Sequence, residues 1–147
     1  MRRLVAVAVI AIAVGAGARP GGGTVLDATV QGSCAPWDGA AFAVSMPVDS
    51  LDAALRGATL AISIWKAPDL PASTFTFLEA AGGYRDSGAA VLQTKGDKYQ
   101  RLTGTVSFTQ VRTDAPVDGS FDLVTQDARR LSARFHATWK HERVICG

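Results

Sequence analysis

From Leu131 to Lys140 the chain alternates strictly. Leu131, Ala133, Phe135, Ala137 and Trp139 interleave with Ser132, Arg134, His136, Thr138 and Lys140. A period of two over this length is a strand with one face on a core and the other in water. A helix would scatter the two sets around its circumference. Whatever else the chain does, it must supply a second apolar surface for this strand to lie on.

The neighbouring residues supply part of it. Across Leu102–Val111 the inner set is Leu102, Gly104, Val106 and Phe108, and the outer set is Thr103, Thr105, Ser107 and Thr109. Threonine suits a half-exposed pleated surface because its branched Cβ fits the strand backbone. Gly104 on the inner face predicts a bulge or a close approach by another backbone or ring. Between these two strands, Ser120–Thr125 sets Phe121 and Leu123 opposite Ser120, Asp122 and Val124, and Val124 suggests cover on both faces. Asp114–Gly119 and Gln126–Arg130 read as the two turns, the first carrying Pro116 and an Asp-Gly pair suited to positive φ. Consecutive strands with short links make an antiparallel meander.

The N-terminus has a different character. Met1-Arg2-Arg3 precedes an unbroken apolar run, Leu4–Val14, and Ala16-Gly17-Ala18 follows with small residues in an A-x-A pattern. This is the layout of a secretory signal peptide over residues 1–18, with cleavage expected after Ala18. The apolar run falls short of the roughly 20 residues a membrane span needs, and the mature chain contains no transmembrane segment of its own. Cys34 lies too far beyond the run to be a lipidation site. Of the 15 basic residues, cleavage removes Arg2 and Arg3, leaving 13 against 13 acidic residues and zero net charge. A nucleic-acid partner, which requires clustered positive charge, is therefore not expected.

Cys34 and Cys146 are the only cysteines. In an exported chain a lone pair near opposite ends of the domain reads as one disulfide. The bond predicts that the start of the domain lies beside its last strand. Two thiols alone do not complete a zinc site.

Residues 19–24 form a Gly-rich lead-in, and 25–147 a single β-domain. Further strands are expected at Val25–Gln31, Ala41–Val48, Thr59–Trp65, Thr74–Leu78 and Ala89–Thr94. The segment Cys34–Gly39 is a turn bearing Trp37. Asp49-Ser50 would cap a short helix, Leu51–Arg56, closed by Gly57. Other turns fall around Tyr84 and at Lys95–Lys98. The fold class is all-β: an antiparallel sandwich or flattened barrel of about eight strands with one short helix. Short strand faces and few aromatics argue against an outer-membrane barrel.

No constellation of catalytic residues emerges. On a strand, residues five apart point to opposite faces, so His136 and His141 make a poor metal pair unless the strand ends between them. Asp114, Asp118 and Asp122 do not follow the spacing of a calcium loop and are explained as turn residues. Gly32-Ser33-Cys34 lacks the G-x-S-x-G elbow of a hydrolase, and there is no phosphate-binding glycine loop. No catalytic residue, metal or cofactor is assigned. Trp37 in its turn and Trp65, out of phase with Ile62 and Ile64, are candidates for a ligand or partner surface, since an exposed indole offers a flat apolar face and a single donor. Arg129, Arg130 and Arg134 form a small basic cluster at a hairpin end and are included with the two tryptophans as a candidate ligand or partner surface.

Three functions are consistent with these residues. The first is an exported bacterial, periplasmic or extracellular, non-enzymatic binding module for a protein or glycan. The second is a carrier of a small apolar ligand inside a barrel, with Ala28, Gly104, Ala133 and Ala137 leaving room within. The third, least supported, is a carboxylate-based hydrolase. A filled interior would count against the carrier.

Overall fold

The strand at the C-terminal end of the chain has neighbours on both sides, and one of them comes from the opposite end of the domain. A computed structural model describes residues 23–78, 87–96 and 98–146. Eight strands are present: β1 Val25–Cys34, β2 Ala40–Pro47, β3 Thr59–Ile64, β4 Ser73–Phe77, β5 Gly88–Thr94, β6 Lys98–Gln110, β7 Val117–Val124 and β8 Arg130–Trp139. The proposed signal peptide, residues 19–22 of the lead-in and the turn around Tyr84 lie outside the described residues.

β8 behaves as its alternation requires. Leu131, Ala133, Phe135 and Ala137 are buried, while Arg130, Ser132, Arg134, His136 and Thr138 are exposed. On one edge it pairs antiparallel with β7, from Val117↔Ala137 to Val124↔Arg130. On the other it pairs in parallel with β1, from Val25↔Arg134 to Val30↔Trp139. This parallel pair makes the sheet mixed, and it brings the two ends of the domain together as the cysteine pair predicts.

β6 closes the sheet on itself. Residues 98–102 pair with β5 and residues 103–110 with β7. The ring therefore runs β6-β5-β3-β2-β1-β8-β7 and back to β6, a closed seven-stranded barrel, and β4 lies outside the ring, paired to β6 from Phe77↔Gly104 to Ser73↔Phe108. Gly104 sits where β6 exchanges β5 for β7. Its φ is +129°, and a Cβ placed there would fall 2.2 Å from the Asp122 carbonyl oxygen, the close backbone approach expected of a glycine on this face.

The interior is filled by aromatic rings. Phe108 meets Phe42, Phe75 and Phe135 edge-on at centroid distances of 5.6, 6.0 and 5.8 Å, and Phe135 stacks on Phe121 at 6.5 Å. Leu60, Ile62, Ile64, Leu92, Val106 and Leu123 complete the same buried cluster. Gly119 lies under the Phe135 ring, which occupies the space its side chain would take.

Two local expectations change. The helix expected at Leu51–Arg56 is a single 3-10 turn, Ala53–Leu55. Asp52 rather than Asp49 is its N-cap, accepting from Ala54 N at 2.9 Å, and the Asp49 carboxylate accepts from Gly57 N at 3.1 Å. The turn ends because Arg56 leaves the helical region at ψ 120° and the chain comes back to β2, where Val48 N donates to Ala58 O at 3.2 Å. Asp118 and Gly119, expected in a turn, belong to β7 instead. The positive φ in that loop is taken by Asp114, at 64°.

Candidate functional site

One end of the barrel carries a tryptophan that is more than half exposed. The β1–β2 connection is a tight turn: Ala35 N donates to Gly39 O at 2.8 Å and Asp38 N donates to Ala35 O at 3.0 Å. Asp38 takes a positive φ of 61°, a conformation that aspartate tolerates better than most residues. The Trp37 indole folds back over Gly39, where an added Cβ would lie 2.6 Å from Nε1. Only a residue without a side chain lets the ring settle there.

Trp65 follows directly after β3, and its backbone is held by a bond from its N to Ser87 O at 2.8 Å. Its ring meets Trp37 edge-on, with centroids 5.7 Å apart and planes at 80°. Such a pair adds about 0.5–1.5 kcal/mol beyond the area it buries. Trp37 nonetheless leaves 52% of its surface in solvent, while Trp65 is half-buried. The third tryptophan has a different role. Trp139 packs on the core, and its Nε1 donates to the Arg112 carbonyl at 2.9 Å.

The C-terminal tail reaches the same end. Beyond β8, Lys140 N donates to Val30 O at 2.7 Å, Val144 lies over Gly32, and Cys146 is joined to Cys34 by a disulfide with a Cα separation of 5.6 Å. The tail thus follows the edge of β1 past the end of β8 and stops beside the Trp37 turn. Val144 and Ile145 are exposed there, at 43% and 80%. Periodicity did not single them out, because the tail has no regular secondary structure. The available signal was an apolar pair in a charged segment, immediately before a cysteine.

Arg130 and Arg134 share the outer face of β8 and line one shallow depression with Asp122 and Ser132, while Arg129 turns away into the β7–β8 turn. Arg129 turns to the Asp52 carboxylate at 2.9 Å and, more distantly, to Asp127 at 3.6 Å, so it ties the β7–β8 turn to the 3-10 turn. The same turn is built on the buried Thr125, whose hydroxyl accepts from Arg129 N at 2.9 Å. Arg130 chelates Asp122, with Nε 2.7 Å from Oδ1 and the second nitrogen on Oδ2. That hydrogen bond, aided by the charge, holds the Asp122 carboxyl below the usual range and raises the Arg130 guanidinium above its own. The Asp127 carboxyl is also lowered, chiefly by its bond from the Thr125 hydroxyl. Arg134 stands exposed in mid-strand between Ser120 of β7 and Val25 of β1.

The histidines have separate partners. His136 Nδ1 lies 2.7 Å from Asp118 Oδ1, and His141 Nδ1 lies 3.4 Å from Asp114 Oδ1. The three aspartates considered as cation ligands are thus each engaged by a different basic side chain. Among the described residues no three His, Cys, Asp or Glu side chains converge in a group suited to a metal, and no helix is long and apolar enough to cross a membrane. Compared with protein-family models, curated proteins and solved structures, the chain matches none.

Proposed function

We propose that this chain is an exported, non-enzymatic binding module that works through its outer surface, with the Trp37–Trp65 end of the barrel as the contact region. The observation that carries the reading is an indole more than half in solvent yet fixed by its own turn, by Gly39 and by a second indole. A large apolar side chain held rigid in water gains more on contact than a mobile one, since little rotamer freedom is left to lose. The packed Phe108 cluster favours this reading over a carrier, whose ligand would need the volume those rings occupy. Export is supported by the N-terminal pattern and by the disulfide, which suits an oxidising compartment.

The test is binding of the purified protein to intact cells and to envelope fractions, comparing the native chain with Trp37→Ala and with the Trp37→Ala/Trp65→Ala pair. Retention that falls in the variants, with their circular dichroism unchanged, supports the reading. Equal retention of all three proteins overturns it. Native mass spectrometry of the protein from its own compartment adds a second arm. A co-purifying apolar adduct would transfer the conclusion to the carrier.

A further inference from the structure

β1 extends past the end of β8. The parallel pairing of the two strands stops at Val30↔Trp139, whereas the antiparallel pairing of β1 with β2 continues to Cys34↔Ala40. On the side that β8 has left, no strand pairs with Gln31–Cys34 among the described residues, and the tail takes that place. Val144 lies over Gly32, and Cys146 Sγ lies 3.6 Å from the Ser33 carbonyl oxygen. The tail rests there loosely. Lys140 N donates to Val30 O, but Glu142 N donates back to Lys140 O within the tail, and His141 is turned to Asp114. Among the described residues, no backbone hydrogen bond joins residues 143–146 to β1. Val144 Cγ2 would stand 3.8 Å from a Cβ on Gly32, an ordinary contact rather than interlocked packing. Lys140 to Ile145 are all exposed, and Cys146 is half-buried. Its bond to Cys34 is what keeps the tail in place.

We infer that the Cys34–Cys146 bond is a redox-operated strap: reduction by a dithiol releases the tail beyond His141 and uncovers the β1 edge, while the barrel stays closed. Ordering several residues of backbone costs more free energy than one loose apolar contact returns, so without the covalent link the tail does not hold its place. The ring does not depend on the tail. β6 closes it between β5 and β7, and β8 remains paired with β1 from Val25 to Val30. Both cysteines are half-buried beside an exposed segment, within reach of a reductant. A thiolate of the dithiol attacks one sulfur, forms a mixed disulfide and expels the other cysteine as a thiolate, which takes up a proton. The second thiol of the reductant then displaces the remaining cysteine and closes its own disulfide, so the electron pair and the protons that the protein gains are those the dithiol loses. In the oxidised state the tail acts as a covering loop, which keeps the N–H and C=O groups of an open sheet edge from pairing with another chain. Reduction removes that cover. The inference is independent of the binding-module reading.

Limited trypsin digestion of the disulfide-bonded protein, before and after treatment with dithiothreitol, tests it, with cleavage after Lys140 and Arg143 read by mass spectrometry. Cleavage after Arg143 is expected to be about ten-fold faster or more in the reduced protein, with far-UV circular dichroism unchanged. Hydrogen exchange should quicken in residues 31–34 and 142–146 and stay as it was in β3, β5 and β7. Cys34→Ser/Cys146→Ser should match the reduced protein in both assays without any reductant. Equal cleavage rates in the oxidised and reduced protein overturn the inference, because the bond would then not be what holds the tail. Reduction that unfolds the barrel overturns it too, since the bond would be a staple of the whole fold. So does a disulfide that dithiothreitol opens only in denaturant.

Discussion

The ring of Phe135 occupies the place of the side chain that Gly119 lacks: a Cβ on Gly119 would lie 2.4 Å from Phe135 Cζ and 2.6 Å from the Ser107 carbonyl oxygen. The two residues are direct register partners on β7 and β8. Gly119→Ala should therefore destabilise the fold by overpacking, by about 1–3 kcal/mol. Urea unfolding measures it, and an unchanged midpoint would show that the ring has room to move.

Phe108 is the centre of the barrel interior, in contact with three other rings. Phe108→Ala removes all three contacts and leaves a cavity that the closed sheet cannot collapse into. A loss of about 3–5 kcal/mol is expected. Phe108→Leu should restore part of it, and the comparison separates cavity cost from ring geometry.

The Cys34–Cys146 bond closes a loop of sequence separation 112. In the chain-entropy view, replacing both cysteines by serine costs about 4–5 kcal/mol through the unfolded chain. The folded barrel should persist, because β1 and β8 are also paired directly. A thermal midpoint unchanged by reduction would contradict this.

Asp122 gives a pH dependence of known sign. Arg130 lowers its pKa in the folded protein, so the stabilisation is fully present above the ordinary aspartate value and is lost as pH falls through the lowered one. Both partners are largely exposed, at 41% and 71%, so solvent screens the pair and the effect is small. Asp122→Asn should flatten the acid limb of the stability curve and leave the neutral-to-alkaline limb parallel to that of the native chain. Stability measured against pH between 2 and 6 in both proteins is the check, and identical acid limbs would remove Asp122 as a contributor.

Much of the architecture is visible in the side-chain order. Alternation located β8 and the inner residues of β6 and β7 because the period of a strand is a property of the backbone alone. The cysteine count announced that the ends of the domain meet. The same reasoning misjudged Asp118-Gly119, where a pair that commonly makes turns is used in a strand. Its glycine answers to a ring on a neighbouring strand rather than to its own backbone. It also extended one 3-10 turn into a helix at Leu51–Arg56, because Asp49 bonds to Gly57 N rather than capping the turn, a contact eight residues apart.

By itself, then, the order of residues determined which segments are strands, which face of each is apolar, and that Cys34 and Cys146 are available to join. Only the tertiary structure decided that β1 lies parallel to β8, that β6 divides its length between β5 and β7 to close the ring, and that Trp37, Trp65 and the tail meet at one end. The physical reason is range. A strand's periodicity is set by neighbours two residues away, whereas closure and the meeting of distant loops depend on register between strands far apart in the chain. One step of register carries every side chain of a strand to its other face.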